Sequence, residues 1–264
     1  MNDVIEPGWG LGAAVLLLTV AAAVVGATAG LGTGRAAAVA VGRAVLQLAV
    51  VSLVIVAVLR SWPATVAFVL VMLIVAAWTA GRRMTRDRSG LGAGLALLAG
   101  TVPVMAVVLG TGAVPLTGIA VVPVAGIVIG GAMTATALAG RRALDRLTER
   151  RGEYEAALSL GLVERDAAVE VIRSAGHDAL VPALDQTRTV GLVTLPGAFV
   201  GVLLGSGDPV QAGAAQLLVL AGLLAAETVA ALVTMELVAR GRIRRPSPSA
   251  EPPNRRRARR SLRP

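Results

Sequence analysis

The stretch WGLGAAVLLLTVAAAVVGATAGL (residues 9–31) decides the fold, because it contains no charged side chain. A helix needs about 20 predominantly apolar residues to cross the hydrocarbon core of a bilayer. Six further stretches of mainly apolar character predict an all-α, polytopic membrane protein with about seven transmembrane helices. These further stretches are 36–59, 62–80, 91–109, 116–138, 189–204 and 212–239.

The composition favours the same class of protein. Hydrophobic residues make up 55% of the chain and charged residues only 16%, with a mean hydropathy of +0.75. Cysteine is absent, so neither a disulfide framework nor a thiolate metal site is expected. Every basic residue in the Lys+Arg count is Arg. A P-loop requires a Lys, so any ATP hydrolysis would have to come from another polypeptide.

The arginines predict the orientation of the spans. They concentrate around Arg35, in residues 82–88, in the segment 141–188 and after Arg240. The intervening connections, SWPAT, GTGAVP and GSGDPVQ, contain none. The positive-inside rule then places the N-terminus outside and the C-terminus in the cytoplasm of a multi-pass cell membrane protein. The net charge of +9 therefore follows from topology, and no nucleic-acid partner is expected.

Two regions follow from this pattern. Residues 1–241 are predicted to form a transmembrane domain, with 141–188 as a cytoplasmic segment. Residues 242–264 are rich in Pro, Ser and Arg, which predicts a disordered basic tail that interacts electrostatically with anionic lipid.

A few polar residues interrupt the apolar spans. Arg43 and Gln47 lie one helical turn apart on one face, and Arg43 either lines the bundle interior or snorkels to the inner headgroups. Glu227 is too short to snorkel easily, which favours a polar path or a buried pair. Gln216 lines a vestibule or bonds to a neighbouring helix. The lone His177 is interpreted as a surface residue, and no cluster of metal ligands or nucleophile with its base is found.

The cytoplasmic segment predicts two amphipathic helices. Arg141 to Leu160 forms the first, and Gly161 ends it, because glycine tolerates the left-handed conformation. The second covers about Glu164–Ser174. This unit is too small for a core of its own. Its apolar stripe must be buried on the inner ends of the spans, on lipid or on a second protein. On the second helix, this stripe comprises Ala167, Ala168, Val171 and Ile172.

Specific motifs then suggest a family. Glu155-Ala156-Ala157, followed by Gly161, resembles the EAA loop of ABC-transporter permeases, a cytoplasmic helix that docks on the ATP-binding subunit. The stretches GIVIGGAMTATALAGRRAL (126–144) and TVGLVTLPG (189–197) flank it. Together, over residues 36–240, they resemble the single-domain permease family of the bacterial Fet-type iron exporters and plant aluminium-tolerance permeases. The chain departs from that family at Gly131-Ala132, where a polar pair is usual, and at 198–202, where a run containing Met and Gln is usual. It also departs at Val163, where a Ser or Thr cap is usual.

The resemblance implies roles for two sets of residues. Coupling to the ATP-binding subunit is expected at Glu155, Ala156, Ala157, Leu158 and Gly161. The translocation path is expected near Met133, Thr134, Thr136 and Pro196, with Arg43, Gln47, Gln216 and Glu227 as further candidates.

The function implied is that of the permease subunit of an ATP-driven ABC exporter that moves metal ions, iron in particular, out of the cytoplasm. Two copies of the chain would work with two ATP-binding subunits, which would bind ATP and Mg, so the chain itself needs no cofactor and no metal site. The alternatives are a nucleotide-sugar ABC permease, an ion-gradient-driven carrier using Glu227, and a membrane scaffold without transport.

Overall fold

The computed structural model describes residues 8–245, and the regular elements within that range are helices. A short 3-10 helix, Arg88–Gly92, precedes the fourth α-helix. The predicted all-α fold is confirmed. The α-helices of the described range are α1 (Trp9–Thr28), α2 (Gly34–Arg60), α3 (Trp62–Met84), α4 (Ala93–Gly110), α5 (Gly118–Glu149), α6 (Arg151–Ser159), α7 (Glu164–Thr189), α8 (Gly197–Ser206) and α9 (Pro209–Ala239).

Helices α1 and α2 form a hairpin in the first of two units, which ends at Ser61. Glycines let the two helices approach closely at the turn, as is common between transmembrane helices. A Cβ on Gly34 would lie 2.6 Å from the carbonyl oxygen of Ala23. Most side chains of both helices are exposed, which suits apolar helices surrounded by lipid.

The second unit begins at Trp62 and packs its helices around α5 and α9. Small residues set the distances between these helices. A Cβ on Gly100 would collide with the carbonyl oxygen of Ala226, and one on Gly140 would collide with Met84. These glycines allow backbones to come close where lipid gives no hydrophobic incentive for helices to associate.

Contacts along α5 show in which direction α9 runs beside it. Its Gly131 faces Glu227 and its Gly140 faces Thr234, so α5 and α9 run parallel. Their C-terminal ends meet at one end of the unit, which we call the basic end and define by Arg141 and Arg240. The chain between α5 and α9 must therefore travel back to the opposite end.

The sequence predicts a transmembrane span over 189–204 in this connection, but the structure does not form one there. Between residues 8 and 245, six helices are long and apolar enough to cross a membrane, and this segment does not form one of them. Gly191 has a φ of +83° and its N–H donates to the Thr194 carbonyl oxygen at 2.9 Å, which forms a turn after α7. Pro196 then restricts the residue before it. Helix α8 has 10 residues, or roughly 15 Å at 1.5 Å per residue, which is half of a hydrocarbon core.

The packed chain continues beyond residue 241, where the predicted tail begins. Ile243 is buried against Gly92 and Leu237. The Thr85 hydroxyl donates to the Arg244 carbonyl oxygen at 3.0 Å, and Arg245 forms an ion pair with α5. Residues 246–264 of the predicted tail lie outside the described residues.

Candidate coupling site

The segment that the sequence predicts to be cytoplasmic starts as a direct extension of α5, one of the span-length helices. The sequence predicts a new helix at Arg141, but α5 runs unbroken from Gly118 to Glu149. Gly140 lies within this helix, and Met84 of α3 packs into the space that a side chain would take. At 1.5 Å per residue, α5 is a rod of roughly 48 Å, so it reaches well beyond a hydrocarbon core of about 30 Å.

Helix α6 follows after a single non-helical residue, Arg150, with φ −104° and ψ 33°. Two ion pairs hold its first turns: Arg150 with Glu153 at 2.6 Å and Arg151 with Glu155 at 2.8 Å. Both pairs are exposed, so each contributes little to stability.

The predicted coupling residues occupy two faces of α6. Glu155 and Ala156 are exposed, whereas Ala157 and Leu158 are half-buried. Tyr154, also half-buried, packs against the core cluster that α7 shares with α5 and α9. One face of α6 is therefore seated on the protein and the other is open to a partner.

Gly161 ends α6 as the sequence predicts. Its φ is +92°, a left-handed value that favours glycine. The Gly161 N–H donates to the Leu158 carbonyl oxygen at 2.9 Å, and the Leu162 N–H donates to that of Ala157 at 3.2 Å. This pair of bonds is the Schellman motif. Val163 is the N-cap of α7 and makes no side-chain capping bond, as predicted.

The turn after α6 exposes a patch of apolar side chains, which we call the apolar tip: Leu160, Leu162 and Val163. Leu160 is 82% exposed and Val163 is 63% exposed. The coupling residues predicted from the Glu-Ala-Ala motif did not include these three side chains. The available signal was the run of three large apolar residues around Gly161 in a segment that cannot enter the bilayer.

Helix α7 follows this turn and packs against the span-length helices α5 and α9. It runs to Thr189 and is therefore longer than the predicted Glu164–Ser174, and its Gly176 receives the thioether of Met235 from α9. The predicted apolar stripe is buried on α5 and α9, and further alanines extend it. Of the three possible locations for this stripe, the structure shows the one on the spans themselves, against α5 and α9. The buried residues are Ala167, Ala168, Val171, Ile172, Ala175, Ala179 and Ala183.

Ion pairs add a polar link between α7 and α9. Arg165 of α7 binds Glu236 of α9 at 2.7 Å, and Arg240 binds the same carboxylate at 2.6 Å. Hydrogen bonds to Glu236 and then to Asp166 raise the pKa of Arg165. Glu236 thus joins the first turn of α7 to the last turn of α9.

A groove of about 870 Å³ lies between α6 and the end of α9. Its walls include Leu147, Tyr154 and Leu158 on the apolar side, and Arg151 and Arg244 on the charged side. Helix α6 therefore has free volume beneath it at the basic end.

The path candidates Pro196 and Gln216 come together at the start of α8. Pro196 is the N-cap residue of α8. The Phe199 N–H in its first turn donates to Oε1 of the buried Gln216 at 3.1 Å. Gln216 thus accepts from one of the N–H groups that a helix start leaves without an internal partner.

Glu227 lies in the interior of the second unit, 8% exposed. It faces Gly131 of α5, where a Cβ would come within 2.5 Å of its Oε1. The missing polar pair at Gly131-Ala132 therefore leaves space that the Glu227 and Leu223 side chains fill. Within residues 62–245, Glu227 has no ion pair.

The remaining candidates are dispersed. On α5, Met133 is half-buried, and the exposed Thr134 donates to its own helix at the Gly130 carbonyl oxygen. Thr136 is fully buried, and its hydroxyl has no partner in the described part of the chain. Arg43 and Gln47 lie exposed on α2 in the first unit. The roles of all eight path candidates stay predictions.

The described residues contain no group of three or more His, Asp and Glu side chains that would hold a metal ion. His177 is exposed on α7, as the sequence predicts.

Comparison with known proteins identifies a family of membrane proteins that matches most of the chain. The family described as "Uncharacterised protein family (UPF0014)" matches residues 9–243. "UPF0014 membrane protein STAR2" of Oryza sativa subsp. japonica is 34% identical over 75% of this chain and 70% of its own length. "Protein ALUMINUM SENSITIVE 3" of Arabidopsis thaliana is 34% identical over 64% of this chain and 62% of its own length.

A bacterial relative carries a functional name. "Probable iron export permease protein FetB" of Escherichia coli (strain K12) is 30% identical over 76% of this chain and 78% of its own length. No solved structure matches the chain. These relatives confirm the resemblance drawn from residues 126–197 to the iron exporters and the plant aluminium-tolerance proteins. The chain belongs to the UPF0014 family of membrane proteins.

Proposed function

We propose that this chain is the permease subunit of an ATP-driven ABC exporter in the cell membrane, and that a separate ATP-binding subunit docks on α6. The main support for this proposal is the exposure of the large apolar side chains of the apolar tip. Large apolar side chains clustered on a turn outside the spans mark an interaction surface, since exposing them to water is unfavourable. The exposed Ala156 beside the tip lets a partner approach closely.

The proposed transporter contains two copies of this chain and two ATP-binding subunits, which bind ATP and Mg. The chain has no Lys for a P-loop, which supports a separate ATPase. In this arrangement the basic end faces the cytoplasm, as the distribution of arginines supports.

The geometry supports a route for force. A partner that moves α6 acts on the α5 rod through the single residue Arg150 and on α9 through α7 and Arg165. Helix α5 carries Met133, Thr134 and Thr136, which are candidates for the path. Moving packed helices as rigid bodies is one of the known ways to switch access to a site.

The proposed substrate is a metal ion, iron in particular, after the printed name of the bacterial relative. A nucleotide sugar is the alternative substrate within the same mechanism. An ATPase screen of the assembled complex against metal ions and nucleotide sugars separates the two, because a transported substrate raises the ATPase rate.

The docking proposal is tested with Leu160→Ser. We expect this variant to lose co-purification with the ATP-binding subunit and stimulation of its ATPase, while inserting normally into membranes. Leu116→Ser is the matched control, because Leu116 is 65% exposed but lies between α4 and α5, away from the basic end. Normal partner binding by Leu160→Ser would exclude the apolar tip as the docking surface.

A second candidate, an ion-gradient-driven carrier, is favoured by one observation: Glu227 is a buried carboxylate without an ion pair in residues 62–245. Such groups inside membranes often carry protons or ions. Vesicles with a pH gradient and no ATP would accumulate substrate under this reading, and Glu227→Gln would abolish that uptake. Transport that depends on ATP and survives Glu227→Gln would exclude it.

A further inference from the structure

A second pocket at the basic end lies away from α6, between the last turns of α3 and the 3-10 helix 88–92. Its volume is about 530 Å³. We call it the Trp78 pocket. It is lined by Trp78, Arg82, Arg86, Arg88 and Leu91, among other residues. It holds none of the residues assigned to coupling or to the translocation path.

The walls of this pocket are fixed by close backbone contacts. A Cβ on Gly81 would lie 2.5 Å from the Gly90 carbonyl oxygen, so the two segments touch through glycine backbones. The Ser89 hydroxyl donates to the Arg244 carbonyl oxygen at 3.1 Å, which ties the 3-10 helix to the chain after α9. The pocket therefore belongs to the folded unit and is not a gap beside a loose loop.

The charge of the pocket is positive and uncompensated. Arg82, Arg86 and Arg88 form no ion pair in the described part of the chain, whereas most arginines of α5, α6 and α7 do. Asp87 is the one carboxylate on the lining, and hydrogen bonds from Ser89 and the Arg88 backbone lower its pKa. Three guanidinium groups against one carboxylate leave a surplus of positive charge for an anion.

The pocket also has an apolar flank. Trp78 is 57% exposed and Leu91 is 66% exposed. The Arg82 guanidinium lies 4.9 Å from the centre of the Trp78 ring, a cation–π contact that holds it at the mouth. Trp78 lies six residues before the end of α3, a span-length helix, and tryptophans are enriched where spans meet the headgroups. A ligand with a phosphate and an acyl chain matches both surfaces.

We propose that the Trp78 pocket binds the phosphate headgroup of an anionic phospholipid. Basic pockets between transmembrane helices on the cytoplasmic side are suited to such headgroups. Arg86 and Arg88 supply the charge for the phosphate, and Trp78 with Leu91 lies along the first part of the acyl chain. The proposal does not depend on what the permease moves.

The test uses the fluorescence of Trp78 in the full chain, in nanodiscs. Trp9→Phe with Trp62→Phe leaves Trp78 as the single tryptophan. Phosphatidylcholine nanodiscs receive increasing fractions of brominated phosphatidylglycerol or brominated phosphatidylcholine. We expect phosphatidylglycerol to quench Trp78 at far lower fractions than phosphatidylcholine does. Arg86→Gln with Arg88→Gln leaves the Trp78–Arg82 contact intact and should weaken this preference by about fivefold for each charge removed.

Two further variants control for bulk charge and folding. Arg173→Gln with Arg188→Gln removes two exposed arginines of α7 and should keep the full preference. Arg86→Lys with Arg88→Lys retains the charge and should keep most of it. Equal quenching by the two lipids would overturn the proposal, as would an equal loss in the α7 variant. Millimolar inorganic phosphate that shifts Trp78 emission, with no preference between lipids, would assign the pocket to soluble phosphate and also overturn it.

Discussion

At the scale of single residues, glycines carry the most specific constraints, and Gly161 is the first of them. Its φ of +92° is unfavourable for any residue with a Cβ, although a Cβ there would meet no neighbouring atom. We expect Gly161→Val to cost about 1–2 kcal/mol locally, because the left-handed conformation is strained. Amide exchange in α6 should accelerate, and partner-stimulated ATPase should fall.

The control for this variant lies in the same helix. Gly152 has an ordinary helical conformation, and a Cβ there would also meet no neighbouring atom. Gly152→Ala should leave α6 intact or stabilise it by about 0.5–1 kcal/mol. If both variants behaved alike, the left-handed turn would not be what positions the docking surface.

Gly131 and its neighbour Gly130 form a second matched pair, inside the membrane. A Cβ on Gly131 would collide with Leu223 and Glu227, whereas a Cβ on Gly130 would meet nothing within 4 Å. Gly131→Ala should therefore lower the free energy of unfolding by about 1–3 kcal/mol through overpacking. Gly130→Ala should change it little. Thermal unfolding in detergent measures both, and equal melting temperatures would contradict the packing of α5 on α9.

At the scale of elements, the link between α7 and α9 should matter more for coupling than for stability. Arg165→Gln removes an exposed ion pair with Glu236, which changes the free energy of unfolding by less than about 1 kcal/mol. We expect the partner-stimulated ATPase activity to persist, while the amount of substrate transported per ATP hydrolysed falls about fivefold. A fivefold change corresponds to the lower end of typical coupling free energies between sites. Simultaneous measurement of ATPase and vesicle transport gives this ratio.

Arg173→Gln is the control for that prediction. Arg173 pairs with Glu170 on the same helix, at 3.5 Å, so its loss breaks no link between helices. The ratio of transport to ATP hydrolysis should stay unchanged. A similar drop in both variants would mean that the surface charge of α7, and not its link to α9, sets the ratio.

Elements with strong periodicity were predictable, and their ends were not. The alanine stripe of α7 predicted the face that is buried, but the helix was expected to stop at Ser174. It continues to Thr189, and Met235 of α9 fills the space at Gly176. Likewise, α5 continues to Glu149, and Met84 packs at Gly140. Both glycines leave room for a side chain that is distant in sequence, and the local pattern does not show that neighbour.

At the scale of the whole molecule, the orientation of the chain can be tested directly, since the sequence has no Cys. We expect Ala113→Cys, between α4 and α5, to react with a membrane-impermeant maleimide in intact cells. Ser159→Cys, in α6, should react only after permeabilisation. Both positions are exposed, so accessibility to the reagent depends on the side of the membrane. Labelling of Ser159→Cys in intact cells would reverse the orientation given by the arginines.

The sequence by itself determined the class of protein, because apolar length and the absence of charge are properties of each stretch alone. It also determined the Gly161 turn, since a left-handed position selects glycine locally. Only the tertiary structure decided that residues 190–196 interrupt the predicted sixth span and that Ile243 is buried. It also decided that Leu160 is exposed and that Glu236 bridges two helices. Those outcomes depend on which side chains distant in sequence come into contact. The apolar pattern does not contain that information, because it reports only whether each segment favours water or an apolar environment.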